Sequence, residues 1–136
     1  MIRDGSVCAE RKVVASSQDL SPLLEEYFTG HDREEMLAVL LDAKHKIIGL
    51  HTVSIGSMSL SIVHPRETFK AAIVGSVAAI ILAHNHPSGD PTPSQENRQL
   101  IARLKECGVL LGIPVLDHLV IGDGGRYASF ADRGEL

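Results

Sequence analysis

The chain has 136 residues, with 13 Lys plus Arg against 17 Asp plus Glu and a formal charge of -4. With 44% hydrophobic and 22% charged residues, it has the makeup of one domain that buries roughly two thirds of its unfolded surface, which excludes intrinsic disorder and a disulfide-held miniprotein. The acidic balance removes the electrostatic footprint that clamps DNA phosphates, and the longest apolar run, seven residues over 77–83, is far short of the roughly 20 that cross a bilayer.

Residues 1–11 are polar and mixed in charge, resemble neither a signal nor a transit peptide, and read as a flexible lead-in to a single domain over 12–136. Cys8 and Cys107 fit no zinc or redox spacing, which suits the reducing cytoplasm. Over 17–28, Leu20, Leu23, Leu24 and Phe28 fall at helical spacing, with Ser21 and Pro22 as cap and first-turn residue and an end near Gly30. The apolar runs 36–41 and 47–53, separated by polar 42–46, form a hairpin. Residues 57–63 alternate Ser with Met, Leu and Ile, the period of a third strand. Pro65 opens a helix over 66–76 with Phe69, Ala72, Ile73 and Ser76 on one face, and 77–83 is a short strand buried on both sides.

Three of the six prolines fall within 87–93, a rigid loop that no helix or central strand accommodates. Thr92 as cap, Pro93 at the first helical position and Gln95 as capping-box partner then start a helix that runs to about Gly108. Segments 115–121 and 126–130 pair as a hairpin over 122–125. Helices interleaved with hairpins and one buried strand give an α/β fold, a mixed sheet with helices packed on it.

His84 and His86 end the buried strand, where residues two apart project to the same side and can share one ion. A bare His-x-His fits hydrogen-bonded loop histidines equally well. Ser94 and Asn97, three apart in the first turn of the next helix, share a face that the proline-rich link can hold near those histidines. Other polar residues read structurally. Asp117 and His118 lie in an apolar strand where neighbours face opposite ways, so at least one is buried and hydrogen-bonded. His64 either supports the site from behind or closes a strand-end hydrogen bond, while His31, His45 and His51 are surface or turn residues. Cys107 packs against the core, and Arg98, Arg103 and Lys105 form a solvated face.

The stretch HNHPSGDPTPSQEN, from His84 to Asn97, resembles the metal-binding signature of the JAMM (MPN+, JAB-domain) metallopeptidases in the form carried by RadC-family proteins. LLDAKHKIIG, VHPRE, ILAHNHPSGDPTPS and VLDHLVIGDGGRYASFADRG resemble RadC segments in the same order, from about Lys12 to the C-terminus. RadC proteins usually carry a further N-terminal helical region. The resemblance implies a JAB/MPN architecture of cytidine-deaminase-like type, three layers with the mixed sheet between flanking helices. It also implies a zinc-dependent peptidase or isopeptidase whose protein substrate is not specified by the motif. Three protein ligands leave an open position at which zinc brings the pKa of water to about 7.

By that resemblance His84 and His86 are metal ligands and Ser94 stabilises the oxyanion. Glu34 is the upstream general acid/base, with Glu35 as competitor because a shift of one residue reverses the facing. The family places aspartate at the third ligand, where this chain has Asn97, so a charged oxygen is replaced by a neutral amide and zinc is expected to bind weakly or not at all. Asp90 and Glu96 are the nearby carboxylates, and neither is a full substitute. The alternative to an impaired hydrolase is a catalytically silent interaction module. The DNA-repair role attached to the family finds no basic stripe here, and no strong nucleic-acid binding and no membrane association are expected.

Overall fold

The computed structural model describes residues 12–56 and 63–136. The lead-in 1–11 and residues 57–62 of the expected third strand lie outside the described residues, and Val63 is buried without strand pairing. The elements, in order, are α1 (Ser17–Phe28), β1 (Glu35–Leu41), β2 (Ile47–Ile55), α2 (Pro65–Val74), β3 (Ala79–Asn85), α3 (Gln95–Leu111), β4 (Val115–Ile121) and β5 (Tyr127–Ser129). They form a five-stranded sheet in the order β2-β1-β3-β4-β5. Among the described strands only β3 and β4 run parallel, joined through α3, and the other neighbours are antiparallel.

Period-two alternation divides the central strands between two cores. Met36, Ala38 and Leu40 of β1, with Ile80 and Leu82 of β3, face Phe69 of α2 and Leu100, Ile101 and Leu104 of α3. Leu37, Val39, Leu41, Ile81 and Ala83 face the other way, onto Leu20, Leu24 and Phe28 of α1. The sheet therefore lies between α1 on one side and α2 and α3 on the other, the three-layer α/β arrangement the sequence implies. No described helix is long and apolar enough to cross a membrane.

The two expected N-caps are displaced. The first helix is capped by Ser16, not Ser21: the Asp19 carboxylate accepts the backbone N–H groups of Ala15 and Ser16 at 2.8 and 3.2 Å, and Pro22 lies inside the helix. The cap of α3 is Ser94, not Thr92, and its box partner is Asn97, not Gln95. In each case a proline drew the expected start, whereas the cap is set by a serine followed three residues later by a side chain able to return the bond.

The end of α3 also differs from expectation, since the helix passes Gly108 and stops at Gly112, whose φ of 72° is the left-handed cap conformation. Gly108 serves packing instead, because a Cβ there would stand 2.6 Å from the carbonyl oxygen of Ile113. The buried strand begins at Ala79, not at residue 77, and runs to Asn85, which brings His84 inside the sheet.

Candidate metal centre

The site forms where the C-terminal end of β3 meets the N-terminal end of β1. Because the two strands are antiparallel, with Met36 opposite His84, the residues that precede β1 lie beside those that follow β3. Ligand atoms of Glu34, His84 and His86 lie within 4.8 Å of one another. Asn85 fixes this junction from both sides of Glu34: its Oδ1 accepts the Glu35 N–H at 2.8 Å and its Nδ2 donates to the Arg33 carbonyl at 3.0 Å. Glu35 faces the opposite way, where its carboxylate accepts the Tyr27 hydroxyl at 2.7 Å and stands 3.4 Å from His31 Nδ1.

His84 is fully buried, and its Nε2 faces His86 Nε2 at 2.9 Å. His86 lies one residue beyond β3, tethered by its N–H to the Ile121 carbonyl and by Nδ1 to the Asp90 carbonyl, both at 2.9 Å. The proline-rich loop that carries it is clamped on the β4–β5 turn. The Gly89 carbonyl accepts Asp123 N–H at 3.1 Å and Arg126 Nη2 at 2.7 Å, and a Cβ on Gly122 would come within 2.3 Å of that same oxygen.

Ser94 and Asn97 bond each other in the first turn of α3. Ser94 Oγ accepts the Asn97 N–H at 3.1 Å, and Asn97 Oδ1 accepts the Ser94 N–H at 3.0 Å. Asn97 is 4% exposed and its side chain adjoins the His84 ring. The helix start thus adjoins the histidines. Asp90 is turned into its own loop, where its carboxylate accepts from Thr92 N and Oγ1 at 3.0 and 2.7 Å, bonds that hold its pKa below the usual carboxylate value. Glu96 is exposed.

His118 is the site neighbour that sequence reasoning left as structural. Its Nε2 lies 2.6 Å from His84 Nδ1, the two rings stack with centroids 4.7 Å apart, and it is fully buried. Burial depresses the pKa of His118 to about 3 and that of His84 well below its ordinary value, so both rings are neutral near pH 7. Adjacent Asp117 points the other way and accepts from Ser129 Oγ, Ala131 N and His118 N at 2.6, 2.9 and 2.7 Å. His64 is an exposed N-cap residue of α2. His45 is in the β1–β2 turn, and Cys107 is partly buried against the α2–α3 core.

The donor chemistry fits a borderline metal ion: two imidazoles and one carboxylate form a set that zinc hydrolases use while keeping a fourth position open. Fold and site together define an α/β domain with a histidine–carboxylate cluster at a strand end whose ligand atoms are close enough to hold one metal ion. The RadC-like JAB domain family is matched over residues 14–135, and the chain belongs to that family. A UPF0758 protein of Moorella thermoacetica is 51% identical over 126 residues, which cover 93% of this chain and 55% of that protein. One from Caldanaerobacter subterraneus is 51% identical over 129 residues, covering 95% of the chain and 55% of the relative. One from Pelobacter propionicus reaches 58% over 104 residues, covering 76% and 45%. The chain therefore spans about half the length of these relatives.

Proposed function

We propose that this domain is a zinc-binding hydrolase of the JAMM type, acting on a peptide or isopeptide amide, whose centre is one carboxylate short because residue 97 is asparagine. The convergence of Glu34, His84 and His86 ligand atoms within 4.8 Å carries the reading. When bound, zinc supplies a water of pKa about 7 and a Lewis acid for the amide carbonyl. His84 and His86 offer the nitrogen ligands. Glu34 is the carboxylate at the cluster, and with Asn97 neutral it has two tasks, completing the ligand set and moving protons for the reaction. Ser94 accepts a bond through its oxygen, which leaves its O–H to donate to charge developing on a substrate oxygen. A cleft of about 270 Å³ beside His86, walled by His31, Gly89 and Gly122, gives room for a substrate segment.

Asn97→Asp separates the two tasks. Aspartate has nearly the same shape and keeps an oxygen to accept the Ser94 N–H, so the helix cap is retained. Competitive chelator titration should show zinc bound weakly by the native chain and about 10- to 100-fold more tightly by Asn97→Asp, the size of effect that even supporting groups of a metal site exert. Glu34→Gln should weaken zinc binding in the native chain. In the Asn97→Asp background it should leave zinc in place while removing amide hydrolysis. Equal affinity of the native chain and Asn97→Asp would overturn the assignment of residue 97 as the deficient ligand.

A second reading, a silent interaction module, is favoured by the exposed apolar side chains Ile73, Val74, Val109 and Leu110 at the ends of α2 and α3. Zinc binding by none of the variants would select it.

A further inference from the structure

Among the described residues seven large apolar side chains are exposed, and five of them, Ile73, Val74, Val109, Leu110 and Leu111, fall in the last turns of α2 and α3. Apolar residues scattered singly over a surface need no explanation, whereas a cluster of this kind marks a contact. Between the two helices runs a groove of about 440 Å³, walled by Phe69, Ile73 and Val74 of α2 and by Cys107, Leu110 and Leu111 of α3. Leu110 is 86% exposed, more than any other large apolar side chain described. One face thus carries both a hole and a protruding knob, which is what a surface needs to complement itself about a two-fold axis.

Position, charge and area agree with a second copy as the occupant. Both helices end where a strand begins, α2 before β3 and α3 before β4, while His84 and His86 lie at the other end of β3. A copy docked on the helix ends leaves both candidate centres open. Arg66 and Lys70 edge the groove on α2, no carboxylate lines it, and the last turn of neither helix carries a basic residue. If the helices of the two copies run in opposite senses, the cations of each lie against the negative helix ends of the other and the like charges stay apart. The five apolar side chains and the stems of Arg66 and Lys70 present on the order of 800 Å² per copy, the area that one subunit brings to a standard interface.

We propose that the α2–α3 face is the interface of a two-fold homodimer in which Leu110 of each copy fills the groove of the other. The inference does not rest on the reading of the metal centre.

Sedimentation equilibrium of the native 136-residue chain from about 1 μM to about 1 mM is the test, since interfaces of this size hold with micromolar or tighter dissociation constants. Dimer is expected to be populated within that range. A monomer throughout overturns the proposal and leaves the face to a different occupant. Leu110→Glu places a charge at the centre of the contact. Because the axis repeats the change, two central contacts are lost and the dissociation constant should rise about 100-fold or more. Circular dichroism of this variant should match the native chain, because the side chain it replaces is exposed. Should the spectra differ, Val74→Glu on the opposite wall carries the same expectation. Ile55→Glu, which alters an exposed apolar residue at the end of β2, should dimerise like the native chain. A dimer indifferent to Leu110→Glu and Val74→Glu, or one weakened as much by Ile55→Glu, overturns the assignment of the face.

Discussion

Asn85 shows how a single side chain can set a site without offering a ligand to it. It spans the backbone on both sides of Glu34, from the Arg33 carbonyl to the Glu35 N–H, and is 4% exposed. Asn85→Ala would leave a buried N–H and a carbonyl unpaired, and is expected to destabilise the domain by about 2 kcal/mol. It should also loosen Glu34, so zinc affinity in the Asn97→Asp background should fall roughly tenfold; unchanged affinity would remove Asn85 from the site. The histidines predict an acid response in chelator-treated protein. The pKa of His118 is lowered from 6.5 to about 3, so between those values the unfolded chain binds the proton and the native chain does not. Stability is therefore retained above pH 6.5 and lost as pH falls toward 3, by several kcal/mol at the acid end. Urea midpoints measured against pH should fall less steeply for His118→Gln, and parallel profiles would contradict the assignment. At this scale the closeness of His84 to His86 and of Ser94 to Asn97 was legible from their spacing, whereas the roles expected of them came from the resemblance alone. Neither Asn85 nor His118 was legible, since the first acts across strands and the second meets His84 through a pairing no local pattern reveals.

At the scale of elements, the proline-rich loop and the β4–β5 turn act as one piece. Gly89 has φ 93° and Gly122 lies so close that a Cβ would meet the Gly89 carbonyl oxygen at 2.3 Å, with the ring of Pro91 at 2.9 Å. Backbone cannot retreat as a flexible side chain can. Gly122→Ala should thus part the two segments and destabilise the domain by about 2 kcal/mol. It should weaken zinc binding as well, because His86 loses the footing that its N–H finds on Ile121. A shift in thermal midpoint without a loss of metal affinity would show that the clamp serves stability alone. The hairpins and the buried strand were readable from apolar runs and their polar breaks. Both N-caps were misplaced because proline is a strong signal for a first helical position, yet a proline is also tolerated just before a cap, as at Pro93, or within a helix, as at Pro22.

On the scale of the whole molecule, the order β2-β1-β3-β4-β5 puts the single parallel pair at the centre and the antiparallel β1 beside it. Ligands gather at the carboxyl ends of parallel strands in open sheets, and here the start of β1 adds a carboxylate to that edge. Composition and periodicity pointed to a mixed sheet with helices, but strand order depends on pairings far apart in sequence, and only the likeness to a family supplied the architecture. The same overall view decides what the surface can attract. The chain carries a formal charge of -4, and several of its arginines are already committed: Arg98 to Glu135 at 2.6 Å, Arg126 to Asp123 at 2.6 Å and Arg133 to Glu135 at 2.7 Å. Releasing those guanidinium groups toward phosphates would expose the carboxylates they balance, which offsets part of the counterion release that drives association. We expect this 136-residue chain to bind duplex or single-stranded DNA no more tightly than about 10⁻⁴ to 10⁻⁶ M, the non-specific range. Fluorescence anisotropy titrations at 50 and 200 mM salt are the check. Submicromolar affinity falling a thousandfold or more between those conditions would reveal several phosphate contacts and would overturn this expectation.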